Sequence, residues 1–207
     1  MVTPLTLVHT SPVHVPVFDA LRDRDHPGAV LRHLVVPELL DRARTEGPDA
    51  VAPALRALLA GSGGPVLVTC STIGAVAEAL EPELGVPVLR VDRPMAAEAV
   101  RTGPRVAVLA TVESTLAPTA ALLEEEAGRA GRRVSITTHL IAKAWPRFEA
   151  GDTAGYLTLV ARAADAVTDA DVMVLAQASM ADACALATTP TPILSSPAPG
   201  LAAALAP

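Results

Sequence analysis

Aromatic side chains are nearly absent from this chain: one Trp, one Tyr and two Phe, 2% of 207 residues. A core must therefore be built mostly from Ala, Val and Leu. The stacking platforms of single-stranded nucleic-acid binders are missing. Basic charge is also short, with 16 Lys and Arg against 22 Asp and Glu and a formal net charge of −6. Both scarcities argue against a nucleic-acid partner. No uncharged apolar run approaches the ~18–20 residues of a spanning helix, so no membrane partner is expected. The start Met1-Val2-Thr3-Pro4 lacks the basic n-region of a secretory leader, which makes a cytoplasmic location the expectation. Two cysteines, Cys70 and Cys184, allow one disulfide but no secreted framework. His14, His26 and His33 show no metal-ligand spacing with Cys or carboxylates. There is no Gly-x-Gly-x-x-Gly and no Gly-Lys-Ser/Thr loop. Gly61-Ser62-Gly63-Gly64 precedes an apolar run instead of following one, and so reads as a loop. No nucleotide, flavin, pyridoxal phosphate or metal is called for, and no cofactor is expected.

What the chain has is apolar content, 51%, with only 18% charged residues. This is a folding composition, enough for one domain or two small lobes. Four segments share one pattern, a short continuous apolar run followed by small hydroxyl residues. They are Leu5–Ser11, Val66–Thr72, Val106–Thr115 and Val172–Ser179. Unbroken apolar runs of this length suit strands buried on both faces of a parallel sheet. The Ser and Thr residues at their ends are good helix N-caps. Parallel strands bring their carboxyl ends to one edge, where open α/β sheets bind ligands. Further strands are expected over Val30–Val36, Val86–Val91 and Val134–Thr138. Helices are expected over Glu38–Glu46, Ala50–Ala60, Ala75–Leu84, Thr115–Ala130 and Thr153–Thr168, with Gly131 as a C-cap. Asp92-Arg93-Pro94 interrupts the pattern and marks a boundary between lobes. Ser195–Pro199, with two prolines, breaks the last helix from an Ala-rich tail that packs back on the first lobe.

The most informative stretch is Pro65-Val-Leu-Val-Thr-Cys-Ser-Thr-Ile-Gly74. It places Cys70 where the carboxyl end of a strand meets the amino end of a helix. The helix dipole and free backbone N–H groups favour a thiolate there. The same groups, with Ser71 and Thr72, can hold an oxyanion. From the residues alone two readings stay open: a reactive thiol beside an anion cradle, or a buried structural thiol in a generic α/β protein.

Cys70-Ser71-Thr72, the turn Ala110-Thr111 through Thr115-Leu116-Ala117-Pro118-Thr119, and Asp171–Ala181 together resemble the aspartate/glutamate racemase superfamily, which includes hydantoin racemases, maleate isomerases and arylmalonate decarboxylases. The resemblance spans nearly the whole chain. It implies an α/β fold of two similar lobes, each with a central mostly parallel sheet flanked by helices, and an active-site cleft between them. The lobes would be residues 1–94 with 195–207, and 95–194. It implies a cofactor-independent enzyme acting on a small carboxylate-containing substrate, of isomerase, racemase or lyase type. Cys70 corresponds to the first catalytic cysteine. Substrate would be held by the strand exits: Thr10 and Ser11, Ser71 and Thr72, Ser114 and Thr115, and Gln177, Ala178 and Ser179. A homodimer is the general expectation for a soluble homo-oligomer.

One departure is large. The family's second turn usually reads Leu-Gly-Cys-Thr, whereas here it reads Leu175-Ala176-Gln177-Ala178. Gln177 cannot exchange a proton at neutral pH, so Cys70 serves only one face of a reacting carbon. Cys184, seven residues on, suits core packing better than catalysis. Glu113 lies in the second lobe's hydroxyl-rich turn and is a candidate base, or else a solvated carboxylate. His9, at the exit of the first strand, is a candidate acid or base, or else a hydrogen-bonded structural group. The site then reads as single-thiol acid/base chemistry beside a carboxylate or carbonyl, or as a non-catalytic binder of small carboxylates. Cys70 acting as a nucleophile, as in maleate isomerases, leaves the proton donor unassigned. Decarboxylases of the family keep the second cysteine and lose the first, the reverse of this chain.

Overall fold

The computed structural model describes residues 3–206; Met1 and Val2, part of the start read above for a leader, lie outside them. The chain divides into two compact units, Met1–Val91 with Pro197–Pro207, and Asp92–Ser196.

The first unit runs β1 (Leu5–His9), α1 (His14–Asp25), β2 (Leu31–Val35), α2 (Pro37–Glu46), α3 (Ala52–Leu59), β3 (Val66–Val68), α4 (Ser71–Glu78), α5 (Glu81–Leu84) and β4 (Val88–Arg90). Its sheet has the order β2-β1-β3-β4, and every pairing is parallel. The inner strands β1 and β3 are buried at every position, as their unbroken apolar sequences require. Val8, Val66, Val68 and Val88 pack against Leu39, Leu55, Leu59, Ile73 and Ala77 of α2, α3 and α4. On the other face, Leu5, Leu7 and Leu67 meet Phe18 of α1.

The second unit repeats this plan with α6 (Arg93–Thr102), β5 (Arg105–Ala110), α7 (Leu116–Arg129), β6 (Ser135–Leu140), α8 (Trp145–Glu149), α9 (Thr153–Asp165), β7 (Val172–Leu175) and β8 (Ile193–Ser195). The order is β6-β5-β7-β8, again wholly parallel. Val106, Val108, Val172 and Val174 face α6 and α7. Ala107, Leu109, Met173 and Leu175 face α9, where Tyr156 and Val160 are buried. The α/β class and the two similar halves thus hold, and among the described residues Phe18 and Tyr156 are the only fully buried Phe, Tyr or Trp side chains in cores made chiefly of Ala, Val and Leu.

Several element boundaries differ from the sequence reading, each for a local reason. Asp92-Arg93-Pro94 starts α6 and does not interrupt the pattern, because a proline in the first helical turn forfeits no hydrogen bond. The same holds for Pro197 and Pro199, which open α10 (Pro197–Leu205). That last helix belongs to the first unit and lays Leu201 and Ala204 on Leu5, Leu67 and Val91. The segment expected as one helix over Ala75–Leu84 begins earlier, at Ser71, and is two helices, α4 and α5. After β7 the chain forms a 3-10 helix, Ala178–Ala185. Helix α1 was not foreseen, because its polar, proline-containing sequence lacks a clear apolar stripe. Gly131 does close α7: with φ +63° it lets Arg132 N–H reach the Ala127 carbonyl at 2.9 Å.

Gly200 marks the tightest seat of α10. A Cβ there would overlap the Val91 carbonyl oxygen and press on the Val91 side chain. Gly200→Ala should cost about 1–3 kcal/mol through this overpacking, despite alanine's better helix propensity. Urea denaturation checks it; stability equal to wild type would show that α10 is not held at this seat.

Candidate functional site

Parallel pairing brings the exits of β1 and β3 side by side in the first unit, and those of β5 and β7 in the second. The matches are positional. Thr10 directly follows β1 and Thr111 directly follows β5. Cys70 lies two residues beyond β3 and Gln177 two residues beyond β7. Cys70 is the N-cap of α4 with φ −114° and ψ 115°, and Gln177 is the N-cap of its 3-10 helix with φ −126° and ψ 137°. The two side chains therefore occupy equivalent places in equivalent sheets.

Cys70 is half-buried and packs on one side against the α2–α4 core. The Cys70 side chain makes no cap hydrogen bond to α4, and its thiol lies at the positive end of that helix. Ser71 is half-buried and Thr72 buried within its first turn. Beneath that turn, Gly74 leaves room for the buried guanidinium of Arg90 on β4; an added Cβ would stand 3.1 Å from Arg90 Cγ and Nε. Nothing in the sequence reading pointed to Arg90, because one charged residue in an apolar strand gives no spacing signal.

At the neighbouring exit Thr10 is buried and Ser11 half-buried. His9 is wholly enclosed, 0% exposed. Its Nδ1 lies 2.8 Å from Thr69 Oγ1 and its Nε2 lies 2.8 Å from His33 Nδ1. The Thr69 hydroxyl donates its hydrogen to the Val8 carbonyl at 3.0 Å. It must therefore accept from His9 Nδ1–H, which leaves Nε2 to accept from His33. His33 Nε2 in turn stands 3.4 Å from Asp19 of α1. Burial, with His33 and His14 adding to it, lowers the His9 pKa to about 3; burial alone takes His14 to about 4. His33, Asp19 and Thr69 were missed because α1 and β2 bring them together only in the folded chain.

In the second unit the Gln177 carboxamide oxygen accepts from Thr111 N–H at 2.6 Å, Thr111 Oγ1 at 2.9 Å and Val112 N–H at 3.3 Å. These donors fix the amide's orientation and leave Nε2 as a donor-only group on a half-buried side chain. The Thr111 and Val112 donors at this exit are thus satisfied within the chain. Ser179 hydrogen-bonds the buried Tyr156 hydroxyl at 2.8 Å, and burial raises the tyrosine pKa. Ala178 and Thr115 are buried, and Ser114 Oγ is buried without a partner. Glu113 is exposed and lies apart from these hydrogen bonds. Cys70 and Cys184 are both free thiols. Cys184 packs beside the α9 core, where burial pushes its pKa up. Among the described residues no group of three or more His, Cys, Asp or Glu could hold a metal ion, and no helix is long and apolar enough to cross a membrane.

The sequence matches the model of the family described as Asp/Glu/Hydantoin racemase over residues 10–204. No curated protein matches it significantly. Similar solved structures include the glutamate racemase isoform RacE1 of Bacillus anthracis, at 16% identity and TM-score 0.72, covering 97% of this chain and 79% of that one. An aspartate racemase of Picrophilus torridus is similar at 15% identity and TM-score 0.66, over 99% and 93% of the two chains. A mutant arylmalonate decarboxylase in liganded form is similar at 18% identity and TM-score 0.58, over 99% and 92%. At these identities the structures share the fold.

Two outcomes are expected from the site itself. Gln177→Leu strands three donors and should cost about 1–3 kcal/mol, whereas Gln177→Glu keeps an acceptor and should cost less; paired urea titrations read the difference. His9 and His14 are neutral in the fold, but histidine in the unfolded chain protonates near pH 6.5. The unfolded state therefore binds more protons below that pH. Their contribution is complete above pH 6.5 and is lost as the pH falls towards about 4 to 3, by at most about 1.4 kcal/mol per pH unit per ring. Denaturation between pH 7.5 and 5.5 should show the loss, and His14→Phe should flatten it.

Proposed function

This chain belongs to the Asp/Glu/Hydantoin racemase family, and on that premise we propose that it is a cofactor-independent enzyme moving a proton at a carbon beside a carboxylate or carbonyl, with Cys70 as its only working thiol. The observation that carries this reading is the occupancy of two matched strand exits. One holds a half-buried thiol at a helix N-terminus, and the other holds an amide already tied down by three donors. A thiol in the first place can give its proton to an enediolate carbon, or as a thiolate take one away. The dipole of α4, with the Ser71 and Thr72 hydroxyls and the first-turn N–H groups, favours negative charge in both directions. Gln177 can do neither, so two-thiol racemisation gives way to a one-sided outcome: isomerisation, or decarboxylation followed by protonation from the Cys70 face. The substrate is a small molecule carrying at least one carboxylate. In this reading the Gln177 Nε2 group replaces an acid with a neutral hydrogen-bond donor, and Glu113 has no role.

A second reading rests on Gln177 as well: a protein that binds small carboxylates and has lost half of its proton-moving pair. Incubation with a panel of mono- and dicarboxylic acids in D2O, followed by NMR, separates the two. The enzyme reading expects deuterium incorporation, double-bond isomerisation or CO2 loss on at least one acid, and a fall of at least about 100-fold in Cys70→Ser. Calorimetric binding with unchanged acids favours the binder, and full turnover by Cys70→Ser would overturn Cys70 as the thiol.

A further inference from the structure

The structure encloses His9 completely and gives both of its ring nitrogens a hydrogen-bond partner. We propose that His9 is a positioning residue for Cys70, acting through Thr69. The inference rests on the reading of Cys70 as the working thiol.

Three hydrogen bonds clamp the ends of β1 and β3 together. Thr69 N–H donates to the Val8 carbonyl at 3.0 Å, Thr69 Oγ1 donates to the same carbonyl at 3.0 Å, and Thr69 Oγ1 accepts from His9 Nδ1 at 2.8 Å. The hydroxyl thus spends its hydrogen on β1's backbone and a lone pair on β1's last side chain, which leaves it one orientation. The next residue is Cys70, held in extended conformation at the N-cap of α4. Fixing Thr69 fixes the direction in which the chain leaves the strand, and with it the approach of the thiol to the helix N-terminus.

The imidazole is itself held from behind. His33 Nδ1 donates to His9 Nε2 at 2.8 Å, and Asp19 stands 3.4 Å from the other nitrogen of His33. Phe18 and His33 pack against the ring at centroid separations of 5.6 and 5.1 Å. An aliphatic side chain would fill this space but leave the His33 Nδ1–H donor and the Thr69 hydroxyl without their partner. What imidazole adds is a donor aimed at Thr69 and an acceptor that His33 satisfies, so that no buried ring nitrogen of His9 is left alone.

The test reads the thiol itself and needs no substrate. Cys70 is alkylated with iodoacetamide in the full-length protein at pH 7.5, and the rate at its peptide is followed by mass spectrometry. Cys184, in the other unit, is the internal monitor of general loosening. His9→Leu removes the donor, and Thr69→Val removes the group it holds. Each should slow Cys70 alkylation by about fivefold, the scale of a lost helix-terminus interaction, with Cys184 unchanged and the double variant no slower than either single one. His9→Asn places an amide N–H near the Nδ1 position and should restore the rate to within twofold of wild type. Alkylation within twofold of wild type in Thr69→Val, or equal slowing in His9→Asn and His9→Leu, overturns the proposal. Thr69→Val carries the test alone if His9→Leu fails to fold. Because labelling does not depend on turnover, a protein inactive on every acid tried would sink the functional reading and leave this result standing.

Discussion

The arrangement of the candidate site depends on parallel pairing between two central strands in each unit. Because β1 and β3 run the same way, as do β5 and β7, their chains leave the sheet side by side at its carboxyl edge. The strands are buried on both faces, so only their ends can carry polar side chains at little cost. Polar groups therefore concentrate there: Thr10, Thr69 and Cys70 in one unit, Thr111 and Gln177 in the other. Helices begin immediately beyond, and their unpaired N–H groups give each exit a preference for negative charge.

The two units answer that preference differently. Behind the second exit the donors close on the Gln177 oxygen, a neutral acceptor from the chain itself. At the first exit the cap residue is Cys70, whose side chain makes no cap hydrogen bond, and the hydrogen bonding is shifted one residue back, to Thr69 and His9. At one exit the cap side chain is thus tied to the turn after β5, and at the other it is a thiol at the amino end of α4. One plan is repeated, but the cap residue and the helix that follows it differ between the two units.

Much of this was legible in residue order. Unbroken runs such as Val66-Leu67-Val68 and Val172–Leu175 can only be interior parallel strands, and the hydroxyls after them had to lie at the sheet edge. Gly131 was readable as a helix end because a positive φ suits glycine. What resisted reading was short or polar. Helix α1 shows no apolar stripe, since Phe18 alone carries its burial. The prolines at 94, 197 and 199 read as breaks because the sequence does not reveal whether a proline sits in the first turn or the middle of a helix. Gln177 was visible as an absent thiol, but its bond to Thr111, 66 residues earlier, was not.

By itself, the sequence determined the class of fold, the strand exits where hydroxyls and a thiol gather, and the presence of one thiol where the family pattern has two. These follow from local pattern and side-chain identity, which do not depend on what lies across the sheet. The tertiary structure alone decided what surrounds each polar side chain. It buried His9 and joined it to Thr69 and His33, set Glu113 in solvent, and placed Arg90 beneath α4. Such roles arise from contacts between residues far apart in the chain, where the partner and its distance determine whether a group is a base, a clamp or a solvated charge.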